Sequence, residues 1–120
     1  MLEPENLNRT FEISLSNDII QLAKLANKIA HDKGFYEDDK SIGQSIALQH
    51  SELSEALESL RDGNPQSDKI DNYSELEEEY ADLIIRILDT AGEHDLDVGG
   101  AIIAKMRYNS DRDHKHGKEF

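Results

Sequence analysis

The chain has 120 residues, a length for one hydrophobic core rather than two. Its 26 acidic and 13 basic residues leave a formal net charge of -13, which argues against a polyanion such as DNA or RNA held by a general electrostatic footprint. There is no cysteine, so disulfides and thiolate metal sites are excluded, and no apolar run approaches the roughly 20 residues that span a bilayer.

The same composition sets further expectations. With 37% hydrophobic and 32% charged residues, the chain is lean for a self-sufficient monomer, and a core completed across a symmetric homodimer or homotetramer interface is expected. Strong acidity is compatible with a small phosphate ligand that arrives with its own metal, and bound divalent cations would relieve the self-repulsion. The acidic start, Met1-Leu2-Glu3-Pro4-Glu5, lacks a basic region followed by an apolar one, so a cytoplasmic protein without a secretory signal is expected.

Residues 1–15 carry little helical periodicity. Phe11, Ile13 and Leu15 alternate with polar neighbours, which predicts a short extended or mobile arm. The first helix is predicted from about Asn17 to Asp32, with Ile19, Leu22, Ala23, Ala26, Ile29 and Ala30 as its apolar stripe and Gly34 as its stop. Ser41 with Gln44 reads as a capping box opening a second helix, whose buried face is predicted to hold Ile42, Ile46, Leu53, Leu57 and Leu60. Gly63-Asn64-Pro65 ends it. The third helix begins at Asp71 or at Ser74, which forms a second capping box with Glu77, and runs to about Gly92 with Leu76, Tyr80, Leu83, Ile84, Ile87, Leu88 and Ala91 on its apolar side. A fourth, weakened by Gly99 and Gly100, follows the N-cap Asp97 from Val98 to Asn109. Residues 110–120 form a polar tail. Four helices with short polar joints and no strand pattern predict an all-α, four-helix bundle-type domain over residues 16–109.

The residues that carry chemistry are Glu52, Glu55, Glu79 and Asp82. Each pair is spaced i, i+3, so its side chains leave the helix on one side, about one turn apart. If the second and third helices pack antiparallel, the two acidic edges can meet. Four carboxylates in such a place repel one another or raise one another's pKa. A hard divalent cation with oxygen ligands is the ordinary resolution, and Mg2+ leaves several positions for water and substrate phosphates. Either motif alone is a weak signal in so acidic a chain, and Glu75-x-x-Glu78 is itself a match of the same type.

Three segments in order are more specific. His50-Ser51-Glu52-Leu53-Ser54-Glu55-Ala56-Leu57-Glu58 and Glu77-Glu78-Glu79-Tyr80-Ala81-Asp82-Leu83-Ile84-Ile85 resemble the Glu-x-x-Glu plus Glu-x-x-Asp signature of the MazG-like nucleotide pyrophosphohydrolases, in the all-α NTP pyrophosphatase superfamily. The run Lys105-Met106-Arg107-Tyr108-Asn109-Ser110-Asp111-Arg112, followed by His116-Gly117-Lys118, resembles that family's C-terminal ending. The resemblance covers Gln49 to Phe120 and departs from the pattern at Asp113, where the family has proline.

The resemblance implies a Mg2+-dependent hydrolase, with Mn2+ as a substitute ion. It would cut nucleoside triphosphates to the monophosphate and pyrophosphate, and house-cleaning of the nucleotide pool is one role it allows. Glu52, Glu55, Glu79 and Asp82 match the metal ligands, with Glu52 or Glu55 assisting proton removal. Lys105, Asn109 and Arg112 match positions that contact substrate, and a homodimer or homotetramer is implied. The resemblance leaves base and sugar preference open. His50, His114 and His116 stay unassigned, as do Phe35, Tyr36 and Tyr108 for base stacking.

Two rivals fail on sequence. A di-iron bundle needs Glu-x-x-His, and no histidine lies three after a glutamate. Asp95-Leu96-Asp97-Val98-Gly99 lacks the spacing of an EF-hand loop. A non-enzymatic acidic helical module that binds a basic protein partner remains as the alternative.

Overall fold

Two capping boxes fix where the central helices begin. The Ser41 hydroxyl accepts from the Gln44 amide at 3.1 Å while the Gln44 side chain accepts from the Ser41 amide at 2.8 Å. Ser74 and Glu77 make the same reciprocal pair at 3.2 and 3.0 Å. Each pair satisfies amides that the first turn of a helix leaves without partners. The computed structural model describes residues 9–112 together with Lys115, Lys118 and Glu119. Within them the chain forms α1 (Arg9–Asp32), α2 (Ile42–Arg61), α3 (Glu75–Glu93) and α4 (Val98–Ser110). No strand occurs among the described residues, and one antiparallel bridge joins Gln66 to Ser74. The all-α architecture expected from sequence is therefore observed. No helix among the described residues is long and apolar enough to cross a membrane.

The expected arm needs correction. Residues 9–15 are helical, so α1 begins at Arg9 instead of Asn17. The Phe11/Ile13/Leu15 alternation was a coincidence of composition: Phe11, Leu15 and Ile19 also follow helical spacing. Glu12 in the first turn accepts from Arg107 Nε at 2.8 Å, which ties the start of α1 to α4 across 95 residues of chain.

α3 is the central helix and packs against both α1 and α2, while α4 docks on α1. The most buried positions between these helices are mostly small or polar. Ala23, Ala30, Ala56, Leu88 and Ala91 are the buried apolar residues, alongside Ser45, Glu52, Ser59, Glu78 and Thr90. Ala23 and Ala30 of the predicted α1 stripe and Leu88 and Ala91 of the predicted α3 side are buried as expected, but the large side chains of the predicted faces need correction. Ile42, Ile46, Leu53, Leu57 and Leu60 were expected to be buried, yet the single chain leaves this row of α2 on its surface, with Leu60 57% exposed. Tyr80, Ile84 and Ile87 of α3 and Leu22 and Ile29 of α1 are likewise exposed. Helical periodicity located the stripes, but it could not say which of two opposed faces meets the chain's own helices.

Two glycines allow the close crossings. A Cβ on Gly99 would lie 2.6 Å from the Ser16 carbonyl oxygen, and one on Gly92 would lie 2.9 Å from that of Ala23. Gly99→Ala should therefore destabilise the fold by about 1–3 kcal/mol in urea unfolding, because backbone must move to admit the methyl group. At an open helix position the same change would stabilise by about 1 kcal/mol, and a gain of that kind would contradict the α1–α4 crossing.

Candidate metal centre

α2 and α3 are joined by a loop that is itself tightly bonded. Gly63 takes a positive φ of 90° to leave α2. Asn64 then receives the Leu76 amide on its side chain at 3.0 Å, and the Pro65 carbonyl receives the Glu75 amide at 2.8 Å. These bonds return the chain so that α3 runs back along α2. The register brings the two acidic edges together.

The structure groups Glu52, Glu55 and Glu79 with ligand oxygens all within 4.8 Å of one another, and Glu78, Glu79 and Asp82 within the same limit. Glu79 belongs to both groups, so the four carboxylates singled out in the sequence form one continuous cluster. Glu52 is only 8% exposed, and its Oε2 is buried without a hydrogen-bond partner, as is Glu79 Oε2. Buried carboxylate oxygens facing other carboxylates, with no donor supplied, have the donor chemistry of a hard-cation site.

Three residues that sequence reasoning missed shape the cluster. Arg86 donates from Nε to Glu52 Oε1 at 2.7 Å, which occupies one Glu52 oxygen and leaves the other open. It lies four residues after Asp82 and is the one basic residue of α3, so helical spacing could have flagged it. Glu78 is buried, and its two oxygens receive the Ser67 hydroxyl and, at 3.6 Å, the Lys69 ammonium. With Oε1 bonded to the loop hydroxyl and Oε2 near the Lys69 ammonium, Glu78 serves as the loop's anchor, whereas Glu79 faces α2. Lys69 had no signature in the sequence, because only the folded loop brings it to the cluster.

The electrostatics follow from this arrangement. Burial raises the Glu79 carboxyl, and hydrogen bonding to and charge from Glu55, then the charges of Asp82 and Glu52, push it further to about 7. Asp82 is also raised, by burial and then by Glu52 and Glu78. Burial works the same way on Glu52, but the Arg86 hydrogen bond, one with Glu55 and the Arg86 charge outweigh it and hold that carboxyl below its ordinary range. The Lys69 ammonium is raised, chiefly by the charge of Glu78.

The other predicted site residues lie elsewhere on the chain. Lys105 and Asn109 are on α4 and Arg112 just beyond it, and the principal packing partner of α4 is α1. Lys105 Nζ and the Arg112 guanidinium lie over the Tyr108 ring, at 4.4 and 5.3 Å from its centroid. Asn109 Oδ1 is buried without a partner. His50 lies outside the cluster and lines an apolar groove between α2 and α3. Tyr36 donates to Asp89 at 2.9 Å and stacks on His31. Asp113, His114 and His116 lie outside the described residues. Comparison with known proteins finds no matching family model, curated protein or solved structure.

The Glu79 shift has a defined sign. Between the ordinary glutamate value of 4.5 and about 7, the folded chain keeps a proton that the unfolded chain has released. Metal-free stability should thus fall as pH rises through that window, with Asp82 acting in the same direction. Glu79→Gln, neutral throughout, should flatten the slope and raise the metal-free melting midpoint at about pH 8 by roughly 4 °C or more. Melting curves in chelator check this, and an unchanged slope would mean that Glu79 does not feel its neighbours.

Proposed function

We propose that the chain is a divalent-cation-dependent nucleoside triphosphate pyrophosphohydrolase that releases the monophosphate and pyrophosphate. The observation that carries this reading is the convergence of Glu52, Glu55, Glu79 and Asp82 into one cluster with two buried, unpartnered carboxylate oxygens. The resemblance of both acidic motifs and of the C-terminal run to MazG-like enzymes supplies the reaction.

Glu52, Glu55, Glu79 and Asp82 would hold Mg2+, or Mn2+ in its place, with Glu79 common to both carboxylate groups. Such an ion supplies Lewis-acid polarisation of the triphosphate and makes water more acidic. Arg86 fixes Glu52 as an anion and orients its open oxygen into the cluster. That same pairing weakens Glu52 as a base. Glu55, exposed at the rim, is the better placed of the two to take the proton of the attacking water. Attack at the α-phosphorus breaks its bond to the bridging oxygen of the β-phosphate, and the electron pair leaves with pyrophosphate. Lys105, Asn109 and Arg112 would contact the substrate, as the resemblance implies.

Assembly belongs to the same reading. Leu53, Leu57, Leu60, Leu76, Tyr80 and His50 line an open groove of about 450 Å³ between α2 and α3. An apolar surface of this kind is the usual mark of an interface. A homodimer or homotetramer would bury it and complete the bundle. Light scattering should return two or four times the 13.6 kDa chain mass at micromolar concentration; the mass of one chain would contradict the assembly.

The activity is tested with a panel of nucleoside and deoxynucleoside triphosphates plus Mg2+, separating pyrophosphate from orthophosphate release. Pyrophosphate is the expected product. Glu55→Gln and Asp82→Asn should each lower kcat/KM by at least about 100-fold, since even groups behind metal ligands cost 10–100-fold. Orthophosphate alone would overturn the cleavage position. Absence of both products and of divalent-cation binding, with the fold intact, would favour the acidic module that binds a basic partner.

A further inference from the structure

Glu52, Glu55, Glu78, Glu79 and Asp82 stand together, and Arg86 is committed to Glu52, so an approaching polyphosphate meets charge of its own sign. Lys69 is a cation adjacent to the cluster that is not fixed by a tight bond. Its ammonium lies 3.6 Å from Glu78 Oε2, beyond a good hydrogen bond, and its side chain is 76% exposed.

Its backbone, in contrast, is held firmly. The Ser67 hydroxyl donates to buried Glu78 and accepts the amides of Lys69 and Ile70 at 3.1 and 3.2 Å. Ser67 N donates to the Tyr73 carbonyl at 2.8 Å, and the Gln66 side chain donates to the Ile70 carbonyl at 3.3 Å. The result is a long, solvated cation on a fixed base at the rim of the carboxylates.

Resting on the metal-site reading, we propose that Lys69 is a phosphate-binding residue that is released from Glu78 when the cluster takes up a divalent cation. A doubly charged ion among Glu79, Asp82 and their neighbours repels a nearby ammonium and draws on the same carboxylate charge that holds it. The freed ammonium then faces the phosphate oxygens that accompany the ion. Lysine suits this exchange because it is a mobile point charge with three donors, unlike the planar fork of Arg86. Lys69 thus opposes the metal and favours the phosphate, so one substitution should move the two affinities in opposite directions.

The test is calorimetry on the intact protein, first with Mn2+ alone, then with inorganic pyrophosphate in excess Mg2+. Lys69→Met should bind Mn2+ a few-fold more tightly, because a competing positive charge is gone. It should bind pyrophosphate about tenfold more weakly, the scale of one charge-assisted hydrogen bond. Lys69→Arg should keep most of the pyrophosphate affinity. Wild-type pyrophosphate affinity in Lys69→Met, or parallel weakening of both ligands, would overturn the assignment of Lys69 while leaving the metal site standing. No Mn2+ uptake by the wild-type protein would overturn the metal-site reading itself, and this inference with it.

Discussion

Carboxylates packed into the seam between two helices are an expensive use of buried space. Glu52 and Glu78 are both almost wholly buried there, at positions where a helical bundle ordinarily places leucine or isoleucine. The chain offsets this with two cations of different character. Arg86 is locked to Glu52 from within α3, and Lys69 stands loosely against Glu78 from the loop. Neither reaches Glu52 Oε2 or Glu79 Oε2, and those two oxygens are left without donors. The shape of the molecule follows from that constraint. A seam lined by charge has to be narrow and polar, and the residues beside it are accordingly alanine, serine and threonine.

A second consequence is the inversion of the helices. With the polar edges of α2 and α3 turned toward each other, Leu53, Leu57 and Leu60 of α2 and Tyr80 and Ile84 of α3 are left exposed, while Leu88 is buried. One apolar patch is then open along the outer side of α2 and α3, and the hydrophobic effect favours covering it. The acidic centre and the exposed apolar rows are therefore two expressions of one arrangement. A subunit interface that buries the outer rows would also stiffen the two helices that carry the carboxylates. α4 contributes in another way, since Gly99 and the Arg107–Glu12 pair seat it on α1.

Much of this was legible in the sequence, for identifiable reasons. The start of α2 was legible because a capping box is a local device of four consecutive residues, and the same device makes Ser74, one of the two starts left open for α3, its N-cap. The meeting of Glu52/Glu55 with Glu79/Asp82 could be anticipated from i, i+3 spacing and antiparallel packing. What the sequence hid depended on tertiary context. The start of α1 was missed because its first turns are held by a partner 95 residues away. The α2 face was misjudged, because large apolar side chains were assumed to point inward within one chain, whereas Ala23, Ala30, Leu88 and Ala91 of the predicted α1 and α3 stripes are buried. Lys69 and Ser67 carry no periodic signal and gain a role only when the loop folds onto Glu78.

The central claim is that a divalent cation belongs between α2 and α3, held by oxygens that the protein leaves unpaired. Titration of the protein with Mn2+, followed by electron paramagnetic resonance of the free ion, measures that directly. The free-ion signal should be suppressed on addition to the wild-type protein and should return for Glu79→Gln, which neutralises the residue common to both carboxylate groups. A wild-type sample in which the free Mn2+ signal persists unchanged, with the helices intact by circular dichroism, would contradict the account.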